Sequence, residues 1–202
     1  MAEENLTELQ LDALKEIGTI GAGNAATGIS KMLGRKIDIT VPRVNMVALE
    51  KVPEMLGGSE TLVTAIYFQV TGDISGTVLF MFPIRESLKM ADLLVGKTLG
   101  QTRTLDDFSQ SALKELGNIS TASYLMALSG VIKMKLFHSV PGLVTDMLGA
   151  VLDGILIKLS LEVEHAVIVE TEFTVGEKMV KGHLLFLPDP DGLKAIIEAL
   201  GV

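Results

Sequence analysis

Residues 9–42 read LQLDALKEIGTIGAGNAATGISKMLGRKIDITVP, and residues 108–141 read FSQSALKELGNISTASYLMALSGVIKMKLFHSVP. Aligned without a gap at an offset of 99, the two stretches share ten identical residues and end on the same Val-Pro pair. The similarity resumes at an offset of 105, where VLFMFP at 78–83 matches HLLFLP at 183–188. A unit of about 100 residues is therefore duplicated. Two copies favour a pseudo-twofold domain over a solenoid, which needs more repeats.

Each copy predicts the same order of elements. A helix with apolar residues at helical spacing begins near Leu6, capped by Asn5 or Thr7, and its counterpart begins after Asp106 and Asp107. The other predicted elements are a strand at 36–41, helices near 52–56 and at 84–95, 143–159 and 191–200, and hairpin strands at 61–71, 76–82, 166–175 and 180–187. The order α-β-α-β-β-α, found twice, predicts an α+β fold with a mainly antiparallel sheet. We expect one domain over residues 1–202, with halves of about 1–100 and 101–202.

The composition excludes several classes of protein. Hydrophobic residues make up 48% of the chain and charged residues 21%, which is typical of a globular protein. The absence of cysteine excludes disulfides, thiolate zinc sites and a cysteine nucleophile. A net charge of −8 disfavours nucleic-acid binding, because a positive surface is needed to displace counterions. Mean hydropathy is +0.44, but no uncharged apolar stretch is long enough to predict membrane insertion. The acidic N-terminus lacks the features of a signal peptide, and we expect a cytoplasmic protein.

The segment GAGNAA at 21–26 matches the glycine spacing of dinucleotide-binding sites. That fingerprint requires a buried strand immediately before the glycines, whereas the preceding ten residues have helical periodicity. The second copy has STAS at 120–123 and lacks the glycines. We therefore interpret Gly21, Ala22 and Gly23 as positions where the helix packs closely against the sheet or its twin helix. A nucleotide-binding enzyme remains a distant alternative.

Metal and covalent catalysis find little support in the sequence. The three histidines, at 138, 165 and 183, have no partner at ligand spacing, and no nucleophile-elbow motif accompanies a serine. The ten methionines are more typical of core packing than of an interaction groove.

The repeated helix carries a polar face. Ser111, Glu115 and Asn118 are spaced i, i+4 and i+7, so their side chains share one side of the helix. Glu115 and Asn118 lie about 4.5 Å apart along the axis, close enough to enter a partner's cleft together. The acid can meet a cation there, and the amide can offer a donor and an acceptor to a water molecule. A solvated surface is the alternative interpretation, but the face recurs in the first copy as Asp12, Glu16 and Thr19.

With these residues the chain resembles the CheC family of chemotaxis phosphatases, which is related to CheX and to the middle domain of FliY. The family signature is Asp or Ser, three residues, Glu, two residues, Asn, twenty-two residues and Pro. The second copy matches it throughout, with Ser111, Glu115, Asn118 and Pro141. The first copy matches with Asp12, Glu16 and Pro42, but holds Thr19 where the signature has Asn.

The resemblance implies hydrolysis of the aspartyl phosphate on the response regulator CheY. Asn118 would orient the attacking water, Glu115 would pair with a lysine of the receiver, and Glu16 would be its counterpart in the first copy. Ser111 would support docking or helix geometry, and Pro141 would fix the backbone. No metal or cofactor would be bound by this chain, since the Mg²⁺ belongs to the receiver.

The departure at Thr19 predicts unequal sites. A hydroxyl reaches less far than a carboxamide and cannot make the same two contacts. We therefore expect the second site to carry most of the activity and the first to be weak or to serve only docking.

The family resemblance also implies a second protein partner, the deamidase CheD. Residues 144–151 look like the family's CheD-contacting helix, in which Asp146 would contribute to binding, although core packing is an equally good interpretation. A non-catalytic adaptor that binds CheD or phosphorylated CheY is the main alternative function. The internal duplication favours a monomer that resembles a dimer.

Overall fold

In the computed structural model, which describes residues 7–159 and 165–200, each half of the chain contributes helices and strands in the same order. The first half contains α1 (Glu8–Leu33), β1 (Asp38–Thr40), β2 (Val44–Ala48), a 3-10 turn (Leu49–Lys51), α2 (Val52–Met55), β3 (Leu62–Gly72), β4 (Gly76–Pro83) and α3 (Ile84–Leu94). The second half contains α4 (Asp107–Ile132), β5 (Leu136–His138), β6 (Gly142–Met147), α5 (Leu148–Leu159), β7 (His165–Val175), β8 (Lys178–Pro188) and α6 (Pro190–Ala199).

The strands form one sheet in the order β1-β7-β8-β4-β3-β5. β2 also pairs with β7 and β6 also pairs with β3, and every one of these pairs is antiparallel. The outer strands of each half therefore complete the hairpin of the other half, and β4 and β8 meet in the centre. This arrangement confirms the predicted α+β fold with two related halves.

The sequence prediction was wrong about one strand in each half. Residues 143–147, predicted as the start of the helix at 143–159, belong to β6, and β2 was not predicted at all. The order in each half is α-β-β-α-β-β-α. β6 pairs along its whole length with Leu62–Tyr67 of β3, so hydrogen bonding to the sheet edge outweighs the local helical periodicity.

Each repeated helix begins at a side-chain cap, and the cap of α1 is one of the two predicted from the sequence. Thr7 caps α1, since its Oγ1 accepts from the Gln10 N–H at 3.2 Å while Gln10 Oε1 accepts from the Thr7 N–H at 2.9 Å. Asn5, the alternative cap, lies outside the described residues. Asp106 caps α4 by accepting from the Ser109 N–H at 2.8 Å. Both caps satisfy donors that a helix start would otherwise leave unpaired.

The repeated helices α1 and α4 pack against each other through Gly21. A Cβ at this position would lie 2.7 Å from Tyr124 Cδ1 and 2.9 Å from Tyr124 Cα, so a larger residue does not fit. Ala22 is also buried, but Gly23 is exposed and has nothing near its Cβ position. Close packing is therefore the correct interpretation of Gly21 and Ala22 and the wrong one for Gly23. Because these glycines lie inside a helix, they do not form a dinucleotide-binding turn.

Apolar side chains alternate between the two faces of the sheet. Along β4, Phe80 and Phe82 belong to the core that the sheet forms with α1, α3, α4 and α6, whereas Leu79 and Met81 belong to the core that it forms with α5. The repeated helices are thereby held on one face. Among the helices in the described part of the chain, none combines the length and apolar character needed to cross a bilayer.

The segment between the halves is held by a buried carboxylate. Asp92 of α3 is fully buried and accepts from the backbone N–H groups of Gly100, Gln101 and Thr102 at 2.6, 3.1 and 2.9 Å. Burial by itself would raise the pKa of this carboxyl, but the hydrogen bonds from Thr102, Gly100 and Gln101 outweigh it and hold the pKa below its ordinary value. Asp92 therefore stays ionised and fastens this segment to α3.

Candidate active site

The helix α4 separates its apolar and polar residues onto opposite sides. Leu113 and Leu116 are completely buried, while Ser111 and Glu115 are exposed and Asn118 is half-buried. The helix lies close to the sheet at Gly117, where an added Cβ would come within 2.9 Å of Ile66 Cγ2 on β3. This close contact fixes the direction in which the polar side faces.

The polar side of α4 forms one wall of an open cleft of about 480 Å³. The opposite wall is the segment after β5. The structure brings together the four motif residues of the second copy, because the lining consists of Ser111, Lys114, Glu115, Asn118, His138, Ser139, Val140 and Pro141.

Glu115 and Asn118 are available for external contacts. Within residues 7–159 and 165–200, no hydrogen bond or ion pair engages the Glu115 carboxylate or the Asn118 amide. An acidic side chain and a free carboxamide therefore face the same cleft from adjacent turns of one helix. Such a pair can hold a cation and a water molecule side by side.

Hydrogen bonds fix the wall opposite the helix. The Ser139 N–H donates to the Gln69 carbonyl oxygen at 2.9 Å, and Ser139 Oγ accepts from the Gln69 N–H at 3.0 Å. The same hydroxyl donates to the Val140 carbonyl oxygen at 2.9 Å. The His138 ring packs edge-on against Phe68, with ring centroids 5.4 Å apart. The cleft is thus bounded by two elements that are both anchored on β3.

Four lining residues were not identified as site residues from the sequence, namely Lys114, His138, Ser139 and Val140. His138 was interpreted as an isolated histidine. Lys114 adjoins the signature glutamate and the other three immediately precede Pro141, so nearness to the motif was the available signal. Within the described ranges, no group of three or more histidine or acidic side chains is placed to hold a metal ion.

The corresponding residues of the first copy form a different surface. Asp12, Glu16, Thr19 and Pro42 are all exposed. The Thr19 hydroxyl donates to the Lys15 carbonyl oxygen one turn earlier, at 2.9 Å, so it is used within its own helix.

Sequence comparison points to one family. Residues 9–46 and 108–145, which contain the two copies of the motif, match the CheC-like family. The protein named CheY-P phosphatase CheC from Bacillus subtilis (strain 168) is 36% identical over 200 residues, which cover 97% of this chain and 96% of that protein. The chain belongs to the CheC-like family.

Two FliY proteins are also similar to this CheC-like chain, one in sequence and one in structure. The flagellar motor switch phosphatase FliY of Bacillus subtilis (strain 168) is 32% identical over 139 residues, which cover 68% of this chain and 36% of FliY. The crystal structure of Thermotoga maritima FliY superposes with a TM-score of 0.75 at 24% identity, covering 96% of this chain and 97% of that one. That superposition agrees with the α+β fold described above.

Asp146 does not lie on a helix in this CheC-like chain. It is an exposed residue of β6, and its Oδ1 accepts from the Met147 N–H at 2.7 Å. The segment predicted as one helix, residues 144–151, divides between β6 and α5. Its core-packing interpretation is correct for Leu148 and Val151, which are buried, and wrong for Met147, which is exposed.

Proposed function

We propose that this protein is a phosphatase that hydrolyses the aspartyl phosphate of CheY at the cleft beside α4. The observation that carries the proposal is the placement of Glu115 and Asn118, which lie unengaged within the described chain, one turn apart on an exposed helix face. Membership of the CheC-like family and 36% identity to a protein named CheY-P phosphatase support the same function.

The proposed reaction needs little chemistry from this chain. A water oxygen attacks phosphorus, the bond from phosphorus to the aspartyl oxygen breaks, and the products are inorganic phosphate and a free carboxylate, with the proton of the water passing to phosphate. Positioning the water in line is the main catalytic task in such transfers. Asn118 performs it by accepting from the water with its carbonyl oxygen, while the Mg²⁺ that neutralises the phosphoryl charge belongs to the receiver.

The neighbouring residues support docking. Glu115 pairs with a lysine of the receiver, and such a charge-assisted contact fixes the helix against the phosphorylated site. Ser111 extends the polar face by one turn, and Pro141 shapes the facing wall. The cleft is wide and open, which suits a protein surface better than an enclosed small molecule.

The first copy is proposed to contribute little hydrolysis. Glu16 retains the acid and Asp12 and Pro42 complete the rest of the motif, but the Thr19 hydroxyl is bonded to its own helix. The hydrolytic activity of this surface is therefore weak, or the surface serves only to dock the receiver.

We also propose CheD as a second partner, with Asp146 on the exposed strand β6 as a contact. The charge reversal Asp146→Lys is expected to weaken CheD binding at least tenfold, measured by titration with purified CheD. Unchanged binding would exclude Asp146 from that interface.

The test of the proposed function is the decay of phosphorylated CheY with and without this protein. Acceleration that Asn118→Ala abolishes supports hydrolysis at the α4 cleft. The alternative, a non-catalytic adaptor, would bind phosphorylated CheY or CheD without changing the decay rate.

We further propose that the protein is cytoplasmic and that it acts as a monomer. The sheet supports the monomer, because the outer strands of each half already complete the hairpin of the other half.

A further inference from the structure

Two equivalent valines point in opposite directions. Val41 and Val140 lie at the same position of the repeat, each followed by proline. Val41 is 7% exposed, and its Cγ1 lies 3.5 Å from the Cβ position of Gly18 on α1. Val140 is 86% exposed. Burial of apolar surface favours the inward position, so something local must hold Val140 outward.

The residue before each valine is bonded differently in the two halves. In the first half, Thr40 pairs in register with Glu172 as the last residue of β1, and its hydroxyl makes no hydrogen bond to any residue that the structure describes. In the second half, β5 ends at His138, one position earlier in the repeat. There Ser139 Oγ accepts the hydrogen bond from the Gln69 N–H. If β5 continued through Ser139, that N–H would donate to a backbone carbonyl oxygen of the strand instead.

The Ser139 hydroxyl therefore replaces a backbone carbonyl as the acceptor of the Gln69 N–H. The Ser139 N–H still bonds to the Gln69 carbonyl oxygen, and the Ser139 hydroxyl donates to the carbonyl oxygen of Val140. The side chain thus takes the place of a ladder carbonyl and fixes the orientation of the next peptide. Val140 is displayed at the rim as a result.

We propose that Ser139 is a positioning residue that presents Val140 as an apolar anchor for phosphorylated CheY, so that only the second cleft has a complete docking surface. The inference rests on the proposed function. Val140 lines the same cleft as Glu115 and Asn118, so a protein surface that brings its phosphoryl group to Asn118 also covers Val140. In the first half the equivalent valine is buried and offers no such contact.

The test measures binding of CheY loaded with beryllofluoride and Mg²⁺, a stable mimic of the phosphorylated receiver, together with steady-state hydrolysis of phosphorylated CheY. Val140→Ser replaces an exposed apolar side chain with a polar one. We expect Kd and KM to rise roughly tenfold with kcat unchanged, since burial of about two methyl groups is lost. Asn118→Ala should show the opposite split, with kcat reduced and Kd retained.

Ser139→Ala should raise KM in the same way, because it removes the hydroxyl that accepts the Gln69 N–H and donates to the Val140 carbonyl oxygen. Thr40→Ala is the matched control in the first half and should change neither constant. Thermal unfolding checks that each variant is folded. If the wild type accelerates hydrolysis but Val140→Ser binds as tightly as the wild type, the anchoring role is wrong and the proposed function stands. If the wild type neither binds nor hydrolyses the receiver, both are wrong.

Discussion

Thr19 and Asn118 occupy the same position of the repeated helix but differ in what they bond. The Thr19 hydroxyl donates to the Lys15 carbonyl oxygen at 2.9 Å, whereas the Asn118 amide has no hydrogen-bond partner within the described chain. The duplication has therefore left one face with a free carboxamide and the other with a short side chain bonded to its own helix.

This difference predicts that a carboxamide restores some hydrolysis to the first copy, at a higher KM than the second copy because Val41 is buried. In an Asn118→Ala background, Thr19→Asn should raise the rate of CheY dephosphorylation above that of Asn118→Ala alone, because Glu16 already supplies the acid. Thr19→Ala in the same background is the control and should restore nothing. An inactive Asn118→Ala/Thr19→Asn protein would show that the first copy lacks more than the amide.

The charge of Glu115 should matter most at low salt. Glu115→Gln removes the proposed ion pair with the receiver lysine while keeping the side-chain shape, so KM for phosphorylated CheY should rise about tenfold. Screening weakens such pairs, and the difference from wild type should shrink as salt is raised from low to high ionic strength. Steady-state hydrolysis over a salt series measures this. A difference that is independent of salt would argue against an ionic contact.

The contact between the repeated helices predicts opposite effects for two neighbouring glycines. Gly21→Ala places a methyl group against the backbone and ring of Tyr124 and should destabilise the protein by about 1–3 kcal/mol. Gly23→Ala meets nothing and should stabilise it by about 0.5–1 kcal/mol, the ordinary gain of alanine in a helix. Urea unfolding of both variants measures the difference. Equal effects would contradict the packing described for α1 and α4.

Asp92 predicts a dependence of stability on pH. Asp92→Asn replaces an acceptor of three backbone N–H groups with an amide and should cost about 2 kcal/mol at pH 7. Since the folded-state pKa lies below the ordinary value of 3.8, the carboxylate's contribution is fully present above that pH and is lost as pH falls through the folded-state pKa. Urea unfolding at a series of pH values should therefore show the gap between wild type and variant closing in acid. Asp153→Asn, at an exposed position on α5, is the control and should show no such gap.

The features predicted from the sequence were those set by local pattern. The repeated helices, the cap at Thr7 and the two long hairpins follow from periodicity and from a capping residue within a few positions of the helix start. β6 was read as helix because Leu143–Leu159 has apolar residues at helical spacing. Its first residues become a strand only because the edge of β3 lies beside them, and that edge comes from the other half of the chain.

The candidate site was predictable only where a motif marked it. Ser111, Glu115 and Asn118 were found from their helical spacing and Pro141 from the family signature, and all four line one cleft. The orientation of Val140 could not be read from a Val-Pro pair that occurs twice, because it depends on a bond between Ser139 and Gln69, which is seventy residues earlier in the chain. Side-chain bonds of this kind leave no periodic signal in the sequence.

The most direct measurement is the decay of phosphorylated CheY in the presence of the wild type, Asn118→Ala and the matched variant Thr19→Ala. We expect Asn118→Ala to lower the accelerated rate about a hundredfold, to near that of CheY alone, and Thr19→Ala to leave it close to wild type. Equal losses from the two substitutions, or an Asn118→Ala protein as active as the wild type, would contradict the assignment of the water-positioning role to Asn118.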